Sequence, residues 1–137
     1  MRNLLLATAL LVSITGAAIA QTASPDGAKV YFIEPKDGAE VSSPVTVRFG
    51  LSGMGVAPAG VEKAKTGHHH LLINTKLEDY AAPVPADDNH KHFGGGQTET
   101  KVELSPGTHT LQLLLGDHNH IPHSPPVESE VITITVK

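Results

Sequence analysis

Apolar and polar side chains alternate along most of this chain, and a period of two commits it to strands. Val45, Val47, Phe49 and Leu51 are separated by Thr46, Arg48 and Gly50; Leu111, Leu113 and Leu115 alternate about Gln112; Ile132, Ile134 and Val136 alternate with Thr133 and Thr135. On an extended backbone successive side chains point to opposite faces, so each run buries one face and wets the other. Weaker runs cover 30–33, 71–73 and 100–104, and Ser105-Pro106-Gly107 supplies a tight turn. No stretch has a competing helical period. The expected fold is therefore all-β, an immunoglobulin-like sandwich of about seven antiparallel strands, although neither Cys nor Trp marks it. Those strands are 28–34, 44–51, 68–74, a weak one within 77–84, 98–104, 108–116 and 129–137.

The N-terminus predicts where the domain works. Met1-Arg2 leads into an apolar run from Leu4 to Val12, and small residues end at Ala18-Ile19-Ala20. A positive start, a short apolar core and an Ala-x-Ala pattern read as a secretory signal, since about 20 apolar residues are needed to span a bilayer. The expectation is a cleaved signal peptide at 1–20 and one β-sandwich domain at 21–137. Its location is then periplasmic or secreted, with no membrane span after cleavage. The chain contains no cysteine, which excludes disulfides, thiolate metal sites, blue-copper ligation and cysteine nucleophiles, and speaks against a lipid anchor. A formal charge of -4 gives no basic footprint for nucleic acid and mildly favours cations.

Nine histidines remain to be explained, six of them in three His-x-His pairs: His68/His70, His90/His92 and His118/His120. Residues two apart on an extended strand point the same way, roughly 6 to 7 Å apart, so two imidazoles can grip one ion. Neutral imidazole suits zinc, copper and nickel. Counting strand directions brings the pairs together. If the seven strands are successively antiparallel, 68–74 begins where 108–116 ends, and 98–104 begins at that same end. The three pairs then converge on one rim, joined by His123 in the run that follows Gly116. The weak strand within 77–84 carries that count.

Parity assigns the other histidines. His69 shares parity with Leu71 and Ile73, which places it at the lip of the core, satisfied by a carbonyl or carboxylate, while His68 and His70 project together. His109 shares parity with Leu111, Leu113 and Leu115 and reads as a packed or hydrogen-bonded histidine. Asp87, Asp88 and Asp117 are candidate oxygen ligands or imidazole orienters, although loop acids are more often turn formers. Gly94-Gly95-Gly96 lacks a following Lys-Ser/Thr and reads as a hinge rather than a phosphate loop.

Several segments also match a known pattern. Phe32-Ile33-Glu34-Pro35-Lys36-Asp37-Gly38, Gly67-His68-His69-His70-Leu71-Leu72-Ile73, His92-Phe93-Gly94-Gly95-Gly96-Gln97-Thr98-Glu99 and Leu113-Leu114-Leu115-Gly116-Asp117-His118-Asn119-His120-Ile121-Pro122-His123 together resemble a bacterial exported family, domain of unknown function 4399. The resemblance implies an exported single-domain architecture and carries no activity.

The leading expectation for function is an exported metal-binding protein, a carrier, buffer or sensor for Cu(II) or Zn(II). Its candidate ligands are His68, His70, His90, His92, His118, His120 and His123. Copper leads on the divalent affinity order, and Met54 is the only methionine after the signal, which argues against a thioether-rich Cu(I) site. Two other classes stay open. One is a small metal-dependent hydrolase with Asp87, Asp88 or Glu99 as general base. The other is a metal-free module whose histidine rim docks another envelope protein or polymer, gated by protonation.

Overall fold

The computed structural model describes Ser13, Gly16 and residues 20–137; the expected signal peptide otherwise lies outside the described residues. Among the described residues nine strands follow in order: β1 (Lys29–Glu34), β2 (Glu40–Val41), β3 (Val45–Ser52), β4 (Gly55–Val56), β5 (Thr66–Ile73), β6 (His90–His92), β7 (Glu99–Val102), β8 (Gly107–Gly116) and β9 (Ile132–Val136). The long strands are those that alternation predicts, displaced by at most a few residues. They form two sheets, one ordered β1-β3-β7, the other β2-β9-β8-β5-β4 with β6 also pairing β5. This is the immunoglobulin-like division of strands over a sandwich. The pairings among the longer strands are antiparallel, whereas the two-residue strands β2 and β4 pair in parallel.

One core fills the space between the sheets. Val30, Phe32, Val45, Val47, Phe49 and Val102 from the first face Leu71, Ile73, Leu111, Leu113, Leu115, Ile132, Ile134 and Val136 from the second. Fully burying a side chain of this size contributes about 1.5–3 kcal/mol. Strands β5 and β8 are covered on their other face as well, where Leu72 and Leu114 pack with Leu77, Val84 and Tyr80. A strand buried on both sides loses its alternation. That is why His68 through Ile73 are buried without a break.

The expected weak strand within 77–84 is not formed. Pro83 and Pro85 remove two backbone donors, and Leu77 and Val84 instead fold down onto the outer face of the second sheet. The pairing missing there appears later, as β6, whose residues His92, Lys91 and His90 lie opposite His70, Leu71 and Leu72. The histidines consequently do not gather on a loop rim. Four of them, His68, His70, His92 and His120, meet on the outer face of the second sheet, at the end where His68 of β5 lies opposite Gly116 of β8.

Candidate metal centre

His68 and His70 stand on the outer face of β5 because their parity is that of Leu72, as alternation requires. Register places His92 directly across from His70. The fourth member, His120, arrives from the turn after β8. One ring nitrogen from each of His68, His70, His92 and His120 lies within 4.8 Å of the others. Ring centroids are 4.7 Å apart for His68/His70 and His92/His120, 5.0 Å for His68/His92 and His68/His120, 5.1 Å for His70/His92 and 6.2 Å for His70/His120. His68 and His70 are buried, His120 is half-buried and His92 is exposed, so the cluster has a closed side and an open edge.

The contacts inside the cluster are nitrogen to nitrogen. His70 Nε2 is 2.9 Å from His68 Nε2, which is 3.2 Å from His120 Nδ1. An imidazole nitrogen offers one N–H or one lone pair, so His68 Nε2 cannot fully satisfy both neighbours by hydrogen bonding, whereas a cation accepts every lone pair. With metal to nitrogen bonds of 2.0 to 2.1 Å, neighbouring nitrogens of a tetrahedral zinc site stand roughly 3.3 Å apart, close to both spacings. The group can therefore hold a metal ion.

Electrostatics keeps the lone pairs available. Burial, reinforced by neighbouring His92 and His120, pushes the His68 imidazole down to about 4 from an ordinary 6.5, with Asp117 partly opposing. Burial, then His68, His92 and His120, pushes His70 to about 3. His92 is lowered by burial and by His120. Rings this reluctant to protonate are neutral at physiological pH, the form that coordinates metal.

Two glycines make room for the rings. A Cβ on Gly116 would stand 2.8 Å from His70 Nε2 and 3.4 Å from the His120 Cα. One on Gly94 would meet the His92 ring, 2.7 Å from its Nε2. Gly94 thus has a steric role at the site.

His120 owes its place to Asp117. The Asp117 Oδ1 accepts hydrogen bonds from the Asn119 and Ile121 amides at 2.8 and 3.0 Å, and its carbonyl accepts from the His120 amide at 2.9 Å. The turn holds His120 at a φ of 66°, in the left-handed region that costs a non-glycine residue roughly 1–2 kcal/mol. Burial alone would raise the Asp117 carboxyl. Hydrogen bonds from Thr22 and from the two amides outweigh it and keep the group below the ordinary range. Asp117 is a turn former, as one of its expected roles has it.

The remaining predicted ligands lie outside this group. His90, opposite Leu72, is one step too far along β5 and bonds Asp87 Oδ1 through Nδ1 at 2.9 Å. His118 points away from His120 because the backbone there turns rather than extends; its Nε2 is 3.0 Å from Asn119 Nδ2 and 3.9 Å from Glu62. His123 is buried with Nε2 3.2 Å from the Thr66 carbonyl. Asp87 also accepts the Asn89 and His90 amides, and Asp88 faces Lys91 at 3.5 Å. His69 lies deeper than expected, in the core with its ring centroid 5.0 Å from that of Phe49, and neither of its nitrogens has a hydrogen-bond partner among the described residues. His109 is the hydrogen-bonded histidine that parity predicts, held by the Ser105 carbonyl and Asn74 at 2.8 and 2.9 Å.

Fold and site together define an all-β sandwich protein with a four-imidazole cluster seated on the outer face of one sheet. The family model for "Domain of unknown function (DUF4399)" matches residues 47–137, and the chain belongs to that family. The matched span contains all four clustered histidines and both glycines that accommodate them. No curated protein and no solved structure matches the chain.

Proposed function

We propose that this protein binds one transition-metal ion, Zn(II) or Cu(II), through His68, His70, His92 and His120, and serves outside the cytoplasm as a carrier, buffer or sensor of that ion. The observation that carries the reading is the approach of four imidazole nitrogens to within 4.8 Å of one another, two of the rings being buried. An all-nitrogen donor set suits both ions: Cu(II) heads the affinity order, and Zn(II) adopts the tetrahedral arrangement that four such ligands supply. The signal-like first 20 residues support export.

A carrier or buffer fits better than a hydrolase. Catalytic zinc keeps a position open for water beside three protein ligands, whereas four imidazoles fill a tetrahedral shell. The acids considered as general bases are engaged elsewhere, Asp87 with His90, Asp88 with Lys91 and Glu99 with Arg48. The exposed His92 at the edge of the cluster gives an ion a way in and out, as exchange requires.

Calorimetric titration with Zn(II), Cu(II) and Ni(II), on protein purified without nickel resin, tests the proposal. One equivalent of Zn(II) or Cu(II) should bind to the unaltered protein and be lost in His68→Ala and His70→Ala. No binding, or binding indifferent to both substitutions, would end it.

A further inference from the structure

The segment from Gln21 to Ser24 precedes the first long strand and lies outside the span that the family model matches. It nevertheless docks directly on the loop that presents His120. The Ser124 amide donates to the Thr22 carbonyl at 2.9 Å, and the Ser24 amide to the Ser124 carbonyl at 3.2 Å. Gln21 Nε2 donates to the carbonyls of Tyr80 and Pro122, at 2.6 and 3.1 Å, joining the cover over the second sheet to the same loop. Most telling is Thr22, whose hydroxyl donates to Asp117 Oδ2 at 2.7 Å. Asp117 is 4 % exposed, and its other oxygen is taken by the Asn119 and Ile121 amides.

We infer that the strap of residues 21–24 is a positioning element of the metal centre, in which the Thr22 hydroxyl fixes the Asp117 carboxylate and, through it, the turn that holds His120 in line with the other three imidazoles. The inference rests on the proposed metal site for its consequence, and on the hydrogen-bonded chain from Thr22 to His120 for its mechanism. Without the hydroxyl, a buried carboxylate oxygen loses its side-chain donor. The turn can then regain solvation only by opening, which carries the His120 ring away from His68. His68, His70 and His92 stand on paired strands and do not depend on the strap. Thr22 is therefore tied to one ligand of the four.

A double-mutant cycle on the protein as the cell makes it reads this coupling. Thr22→Val keeps the shape and removes the donor; Thr22→Ser keeps the donor. Partners that orient metal ligands typically change affinity 10- to 100-fold, so Thr22→Val should weaken Zn(II) about tenfold, with Thr22→Ser close to the unaltered protein. In a His120→Ala background the same change should have less than about a twofold effect, because the coupled ligand is already gone. Equal losses in both backgrounds would overturn the inference. Amide exchange in metal-free protein gives a second arm. Thr22→Val should speed exchange at Asn119 and Ile121 by about tenfold and leave Leu115 in the core unchanged. Unchanged protection at Asn119 and Ile121, or equal speeding at Leu115, would refute local positioning. Should no variant bind Zn(II), the metal function fails, and the exchange arm still decides whether the strap holds the turn.

Discussion

At the scale of single residues, the absence of a methyl group shapes the site as much as the imidazoles do. Gly116 lies at the end of β8 and has ordinary strand dihedrals, so alanine there meets no backbone obstacle. Its Cβ would nevertheless press on the buried His70 ring from 2.8 Å. Gly116→Ala should therefore cost about 1 kcal/mol of stability through overpacking and lower Zn(II) affinity tenfold or more, on the order of a misplaced ligand. Urea unfolding and a competition titration with a chelator separate the two effects; full affinity would mean that His70 is not required where it stands. His69 makes the opposite case. It is buried against Phe49 with both ring nitrogens unpartnered, and an unmade hydrogen bond in a core costs about 1–3 kcal/mol. His69→Leu should raise the unfolding free energy by about 1 kcal/mol and leave metal affinity unchanged, since residue 69 faces away from the cluster. A loss of stability would show that the ring packs better than its stranded nitrogens suggest.

At the scale of elements, much was legible and one decisive strand was not. Alternation locates β1, β3 and β9 because each has one face in the core, and β8 through His109–Leu113, before its second face is covered; the His68/His70 pair follows from strand parity. Strand β6 escaped because three residues, His90-Lys91-His92, are too few to show a period, and their pairing with β5 depends on register that no local pattern encodes. An extended backbone would set His118 beside His120, but the turn at Asp117 bends the chain there. Of three sequence pairs, therefore, one stays whole and two contribute a single ring each. Lys91 lies opposite Leu71 at the middle of β6, where proline would remove a backbone donor. Lys91→Pro should release β6 from β5 and reduce metal affinity as much as His92→Ala does, while the core between the sheets is retained. A titration of the two variants side by side checks this; an affinity near that of the unaltered protein would show that His92 holds its position without the ladder.

At the scale of the whole molecule, three buried imidazoles and the exposed His92 beside them tie stability to pH. His68 and His69 are pushed to about 4 and His70 to about 3, in each case chiefly by burial, and His92 is lowered as well. In the unfolded chain these groups return to 6.5, so below that pH the unfolded state binds more protons than the folded one. Their contribution is fully present above pH 6.5 and is lost as the solution is acidified from 6.5 toward 4 and below. For His69 alone, fully buried and outside the cluster, two to three pH units correspond to on the order of 3 kcal/mol. Zn(II) acts on the same balance from the other side. It binds only neutral imidazoles, so at neutral pH a hundredfold excess over the dissociation constant should add about 2.7 kcal/mol to stability. That gain should shrink as acid protonates the ligand nitrogens of the folded site. Urea unfolding at intervals between pH 7.5 and 4, with and without Zn(II), should give two curves that both fall with acid and meet at the acid end. His69→Leu should flatten the metal-free curve without closing the gap between the two at neutral pH. A metal-free curve level from pH 7 to 4.5 would mean that these rings are solvated and protonate freely, and neither the buried cluster nor its readiness for a cation would survive that result.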